Sequence, residues 1–165
     1  MEVYKMLPEG TLAELINGIL YMSPAPKTNH QRIIFKIGTQ ITNFIEQGFG
    51  GEIFIAPCDV YLDQELNAVQ PDVLFISKEK SNIVLEDGIY GSPDFIVEVL
   101  SPSNSKNDLE VKKELYERFL VKEYWIVDPI EKKAIGYSLQ LGKFVSLKSS
   151  EGIITSPYFN QEFKF

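Results

Sequence analysis

The chain has a single cysteine, Cys58, so no intrachain disulfide can form and no cysteine-based zinc site can be assembled. It has a single histidine, His30, which excludes a multi-histidine metal centre on one chain. No apolar run reaches the roughly 20 residues needed to cross a bilayer. The opening MEVYKMLPEG lacks a basic stretch followed by an apolar one, so no secretory signal is read and a cytoplasmic protein is expected. Basic residues are also in short supply: 16 Lys and Arg stand against 23 Asp and Glu, for a net charge of -7. That balance excludes a protein coated in cations for tight metal-free DNA binding, though a few local cations can still meet phosphate.

What is present suits one folded domain over residues 1–165. The composition is 44% hydrophobic and 24% charged, far from that of a disordered chain. Asn17-Gly18 between two apolar runs predicts a hairpin over Leu12–Met22, since that dipeptide suits a type I′ turn. Ser23-Pro-Ala-Pro26 ends it, and Thr28 or Asn29 is a candidate cap for a helix over His30–Gln47. In that helix Ile33, Ile34, Ile37, Ile41, Phe44 and Ile45 recur at helical spacing, with His30 on the same stripe. Strands are predicted at Glu52–Ala56, Asp59–Leu62, Val69–Ile76, Phe95–Leu100 and Tyr124–Val127. A loop over Ser101–Asn107 and a helix over Asp108–Leu120 separate the last two. A final hairpin is predicted at Lys133–Leu139 and Lys143–Leu147 around Leu141-Gly142, and the tail to Phe165 carries no clear period. The pattern is α/β (α+β), with a central mixed sheet flanked by helices and a hairpin at each end.

Three charged residues interrupt apolar surroundings. Asp72 follows Pro71 and shares a side of its strand with Leu74 and Ile76. A carboxylate there costs several kcal/mol unless paired or metal-bound, the alternative being a solvated strand end or turn cap. Glu98 lies inside Phe95–Leu100, and glutamate is seldom buried without a partner, so it is either a ligand or half of a buried salt bridge. Lys112 projects from the centre of the apolar face of the following helix, toward Glu98 or snorkelling along the core edge. Lys113 is expected to pair with Glu117 on the surface. Two carboxylates and a lysine in this order suit phosphodiester hydrolysis. Asp72 and Glu98 would hold Mg²⁺, with Mn²⁺ as a substitute, and Lys112 would orient water and offset charge.

With these residues in place, the chain resembles the Uma-two family of restriction-type endonucleases, a branch of the PD-(D/E)XK superfamily. The matching stretches are Glu14–Pro26, His30, Ala56-Pro-Cys-Asp-Val60, Val69-Gln-Pro-Asp72, Pro93–Ser103, Lys112 with Tyr116, and Glu123–Pro129. The resemblance implies a nuclease fold in which Asp72 and Glu98 are the motif carboxylates. The superfamily's lysine normally stands two residues after the second acid, where this chain has Leu100. The family resemblance moves that role to Lys112. Glu14 matches an early acidic position, as an extra metal or water ligand or as an exposed hairpin carboxylate. His30 matches a cleft position or is a hydrogen-bonded core histidine. Gln70 is expected to reach metal-bound water or substrate, and Asp59 to be structural. Tyr116 and Asp128 are read as packing and strand-end residues.

The expected activity is metal-dependent endonuclease cleavage of DNA by a homodimer. The aromatic tail or final hairpin would form the interface, or else fold back on the domain. Two alternatives remain open on the residues alone. One is a nuclease-fold binding or assembly module without catalysis. The other is a hydrolase of RNA or smaller phosphoesters.

Overall fold

The computed structural model describes residues 1–101 and 106–165, and the side chains of all of these except 106–109. Part of the loop read at Ser101–Asn107 therefore lies outside the described residues.

After a short helix, α1 (Glu2–Lys5), the chain forms the expected hairpin from β1 (Ala13–Ile16) and β2 (Ile19–Met22). Asn17 and Gly18 both take positive φ, 51° and 79°, as a type I′ turn requires. The long helix α2 spans Thr28–Phe44 and ends in a π-helical turn, Ile45–Phe49. Neither Thr28 nor Asn29 caps it. The cap position is Lys27, which offers no side-chain hydrogen bond, because the helix starts two residues before the expected His30 and takes Thr28 and Asn29 into its first turn.

The main sheet follows the order β12-β11-β10-β9-β6-β3. Its strands are β3 (Glu52–Ile55), β6 (Val73–Ile76), β9 (Phe95–Val99), β10 (Glu123–Asp128), β11 (Lys133–Gln140) and β12 (Lys143–Ser146), with β13 (Ser150–Glu151) added to β11. Its neighbours are antiparallel except β9 and β10. These two are parallel because a helix, α3 (Lys106–Arg118), carries the chain across between them. A second sheet, β2-β1-β5-β4-β8-β7, gathers short strands: β4 (Val60–Tyr61), β5 (Ala68–Val69), β7 (Val84–Leu85) and β8 (Gly88–Tyr90).

Alternation along β9 assigns each side chain a face. Phe95, Val97 and Val99 pack under α2 with Ile34, Ile37, Ile41, Val73 and Trp125. Ile96 packs on the opposite face with Leu74, Ile126 and the α3 residues Leu115 and Tyr116. Glu98, in step with Ile96, is thereby directed toward α3.

Several sequence expectations are corrected. Val69–Ile76 is not one strand. Ala68–Val69 belongs to the second sheet and Val73–Ile76 to the main one, with Gln70-Pro71-Asp72 crossing between them. Pro71 has no N–H for a ladder, which makes this the natural place for the strand to part. The third helix begins and ends two residues before its expected span Asp108–Leu120. Lys113 does not pair with Glu117. Its ammonium lies 4.5 Å over the Tyr137 ring, while Glu117 accepts from Lys143 and from the Phe144 backbone N–H.

The tail forms a hairpin, β14 (Ile153–Ser156) with β15 (Gln161–Lys164). It folds back rather than offering an aromatic interface. Phe159 and Phe163 are buried on the α2 side, Phe159 edge-on to Phe75 and Phe95 with ring centroids 5.0 Å away in each case. Glu123 anchors it, accepting from Trp125 Nε1 at 2.6 Å and from the Tyr158 N–H at 2.8 Å.

The fit around Trp125 is close. A Cβ added at Gly136 would lie 2.6 Å from its ring. Gly136→Ala is therefore expected to cost about 1–3 kcal/mol. Urea unfolding followed through this sole tryptophan measures it, and an unchanged midpoint would show that the ring can retreat.

Candidate active site

Where the two sheets part, one cavity of ≈ 760 Å³ is lined by Glu14, His30, Gln70, Asp72, Glu98 and Lys112. Five elements or crossings supply these six residues, and the register of the main sheet sets the central pair. Val73 pairs with Val97 across the antiparallel β6 and β9. One residue beyond that pair, just before β6, Asp72 comes level with Glu98, which brings the two carboxylates to the same end of the sheet and into one cavity. There Asp72 Oδ2 takes over from the backbone ladder, accepting from the Val99 N–H at 2.7 Å.

Lys112, reaching in from α3, holds Glu98 Oε1 and Glu14 Oε2 at 2.9 Å each. The sequence expectation of a Glu98 partner is met, and Glu14 joins it from the second sheet as a half-buried cleft carboxylate rather than an exposed one. Tyr116, one helical turn after Lys112, donates its hydroxyl to the same Glu98 oxygen at 2.7 Å. Reading Tyr116 as packing alone missed this bond. The signal was its i,i+4 spacing from Lys112.

His30 is buried and its Nε2 lies 3.1 Å from Asp72 Oδ2 and 3.0 Å from the Val99 carbonyl. Its Nδ1 is buried with no hydrogen-bond partner among the described residues. Gln70 is held by distant partners. Its side-chain NH₂ donates to Asp59 Oδ1 (2.8 Å) and the Thr11 carbonyl (3.1 Å), so both its donors are used within the chain, while Gln70 still lines the cavity. Its backbone N–H donates to Glu14 Oε1 at 3.0 Å. Asp59 also accepts from the Tyr4 hydroxyl at 2.7 Å, tying the first helix to this crossing. Asp128, at the end of β10, accepts from the Ile130 and Glu131 N–H groups and closes a turn.

The electrostatics follow from burial and crowding. Burial pushes the Glu98 carboxyl up; Lys112 opposes this, Asp72 and Glu14 reinforce it, and the result is about 7. Burial works against the Lys112 ammonium, but Glu14 and Glu98 outweigh it and raise its pKa. Burial likewise opposes ionisation of His30, while Asp72 and the Val99 carbonyl favour it, with a net rise.

The sign for stability is therefore the same for Glu98 and His30. Each binds its proton more tightly when folded, so each contributes stability at low pH that is lost as pH rises. For Glu98 the window runs from its unfolded value of 4.5 to about 7, and for His30 it lies above 6.5. Metal-free protein is expected to lose on the order of 2–3 kcal/mol across the Glu98 window. Glu98→Gln should remove that slope in urea titrations from pH 4.5 to 7, and an equally steep slope in the variant would assign it elsewhere. Buried Glu123, whose pKa burial also raises, contributes with the same sign.

Three carboxylates in one cleft form an oxygen donor set, the kind hard divalent cations take. Among the described residues no three His, Cys, Asp or Glu side chains converge closely enough to hold an ion as they stand, because Lys112 supplies the positive charge between Glu14 and Glu98. Asp72 Oδ1 and Glu98 Oε2 carry no hydrogen bond among the described residues, which leaves an oxygen on each of these carboxylates for a cation.

A mixed sheet between two helices, opened at one end over a carboxylate pair, is a restriction-endonuclease-like architecture. The chain matches the Uma2 family model, described as "Putative restriction endonuclease", over residues 1–163, and it belongs to that family. It is also similar to the crystal structure of a "putative nuclease belonging to DUF820" from Anabaena variabilis. The TM-score is 0.78 at 18% identity, covering 96% of this chain and 89% of the other, which shows a shared fold. No curated protein matches the chain.

Proposed function

We propose that the chain is a divalent-metal-dependent endonuclease that hydrolyses phosphodiester bonds in DNA. The observation that carries the reading is the placement of Asp72 level with Glu98 at the mouth of the main sheet, with Lys112 beside them in the same cavity. Asp72 and Glu98 would hold the metal, Mg²⁺ or Mn²⁺, with Glu14 as a further oxygen donor. When bound, the metal supplies a Lewis acid that makes water more acidic and offsets charge on the phosphoryl oxygens.

The chain's own residues do the rest. Lys112 Nζ has three protons; two face Glu14 and Glu98, and the third is left for the attacking water or a phosphoryl oxygen. Tyr116 fixes Glu98 through Oε1, which leaves Oε2 toward the cleft. His30 and the Val99 N–H clamp Asp72 through Oδ2 in the same way. In the reaction a water loses a proton to solvent as its oxygen bonds to phosphorus, the P–O ester bond breaks, and the departing alkoxide takes up a proton from solvent.

One cleft per chain cuts one strand at a time, so cleavage of both strands of a duplex would use a twofold homodimer. Plasmid nicking alongside calorimetric Mg²⁺ titration tests the proposal. Metal binding and nicking by the wild type support it. Neither, with Mg²⁺ or Mn²⁺, would favour the non-catalytic binding module.

A further inference from the structure

The acidic residues of this chain are unevenly placed. It has 23 Asp and Glu, yet none between Glu14 and Glu46. That interval contains all of α2, whose outward face carries exposed Gln31, Arg32, Phe35 and Lys36 just beyond exposed Lys27. Ile34, Ile37 and Ile41 hold the opposite face of the helix in the core.

Phe35 is 70% exposed, so packing does not account for it. Lys27, Arg32 and Lys36 make no ion pair among the described residues, unlike Lys80, Lys112, Lys122 and Lys143, which are spent on carboxylates. The face is continuous with the cleft, because Lys27 and Gln31 line the cavity that holds Asp72 and Glu98. From Lys27 to Lys36 the helix rises about 13 Å along its axis.

We infer that the outward face of α2 binds a single-stranded nucleic-acid segment leading into the cleft, with Lys27, Arg32 and Lys36 on phosphates and Phe35 stacked on an unpaired base. This rests on the nuclease reading for its direction into the cleft. The binding itself does not depend on catalysis. Charge complementarity identifies a polyanion, because a helix with cations and no acid of its own, in a chain of net charge -7, is where phosphate is drawn in. The aromatic ring identifies an unpaired strand. Stacking on an exposed ring flanked by cations serves any base whose face is free, and bases inside a duplex are already stacked.

The test is fluorescence anisotropy at low ionic strength in EDTA, where nothing consumes the probe, using a labelled single-stranded oligodeoxynucleotide and the duplex of the same sequence. Wild type is expected to bind the single strand more tightly than the duplex. Phe35→Ala should weaken the single strand roughly tenfold, and Phe35→Trp should restore it. Arg32→Gln with Lys36→Gln should lower the salt slope by about 1.4, from two phosphate contacts at about 0.7 each.

All three positions are exposed, so folding is not at stake. Plasmid nicking in Mg²⁺ is measured on the same samples. Nicking by the wild type together with unchanged single-strand binding in Phe35→Ala would overturn this surface and leave the nuclease reading intact. Binding that depends on Phe35 in a protein that never nicks would support the surface and overturn the nuclease reading. No binding in EDTA, or equal losses for duplex and single strand, would also overturn the surface.

Discussion

Asp72→Asn is expected to abolish plasmid nicking, by roughly 10³-fold or more, while the protein remains folded. The change keeps an oxygen that can accept from the Val99 N–H, which now bonds Asp72 Oδ2 at 2.7 Å, so the junction of the two sheets is preserved. What is lost is the negative charge on one of the two carboxylates. Removing several kcal/mol of metal-supplied stabilisation corresponds to that drop, at about 1.36 kcal/mol per tenfold.

A second readout separates this from general damage. The chain has only one histidine, so its imidazole proton resonance is unambiguous. Asp72 is what chiefly raises the His30 pKa against the opposing effect of burial. In Asp72→Asn that pKa should therefore fall. Nicking retained in the variant, or a His30 titration unmoved by it, would remove Asp72 from the role assigned.

Lys112→Met should destabilise the metal-free protein at neutral pH by about 3–5 kcal/mol, which at this chain length lowers Tm by about 10 °C. Methionine keeps the volume but deletes the cation from between two carboxylates, each of which Lys112 now contacts at 2.9 Å. Glu98, with 5% of its side chain exposed, would be left beside Glu14 with no cation at that point of the cleft. Two conditions should restore stability. Lowering the pH protonates Glu98, whose pKa the loss of Lys112 drives further up. Adding Mg²⁺ supplies the missing positive charge, worth about 2.7 kcal/mol at one hundred times its Kd. Differential scanning fluorimetry over pH, with and without Mg²⁺, measures both. A variant as stable as wild type at pH 8 without metal would show that Lys112 is not what neutralises the cleft. Nicking is expected to fall in the same variant, since the third ammonium proton is gone.

Much of this was legible in the chain because it is local. Asn17-Gly18 specifies a turn by its own backbone preferences, and the hairpin around it is there. The isoleucine period specifies α2, and the unbroken run Phe95–Leu100 specifies a strand covered on both faces. Glu98 and Lys112 stood out because each puts a charge where its element should be apolar, and such charges need partners. The readings that failed depended on distant contacts. Val69–Ile76 alternates like a single strand, and only the presence of two sheets divides it at Pro71. Tyr116 has the spacing of a packing residue on its helix, yet Glu98 on another element accepts its hydroxyl. Glu117 had a lysine at neighbouring helical spacing, but the β12 edge offered it both Lys143 and a backbone N–H.

The sequence by itself determined the α/β class, the hairpin at each end of the main pattern, and that Asp72, Glu98 and Lys112 each put a charge among apolar neighbours. These follow from periodicity and from the cost of burying charge, both of which act over a few residues. Only the tertiary structure decided that Asp72 comes level with Glu98, that Glu14 completes the Lys112 bridge from another sheet, and that the aromatic tail covers the core. Strand register, sheet parting and tail docking are set by which distant surfaces bury one another, and no local pattern encodes that choice.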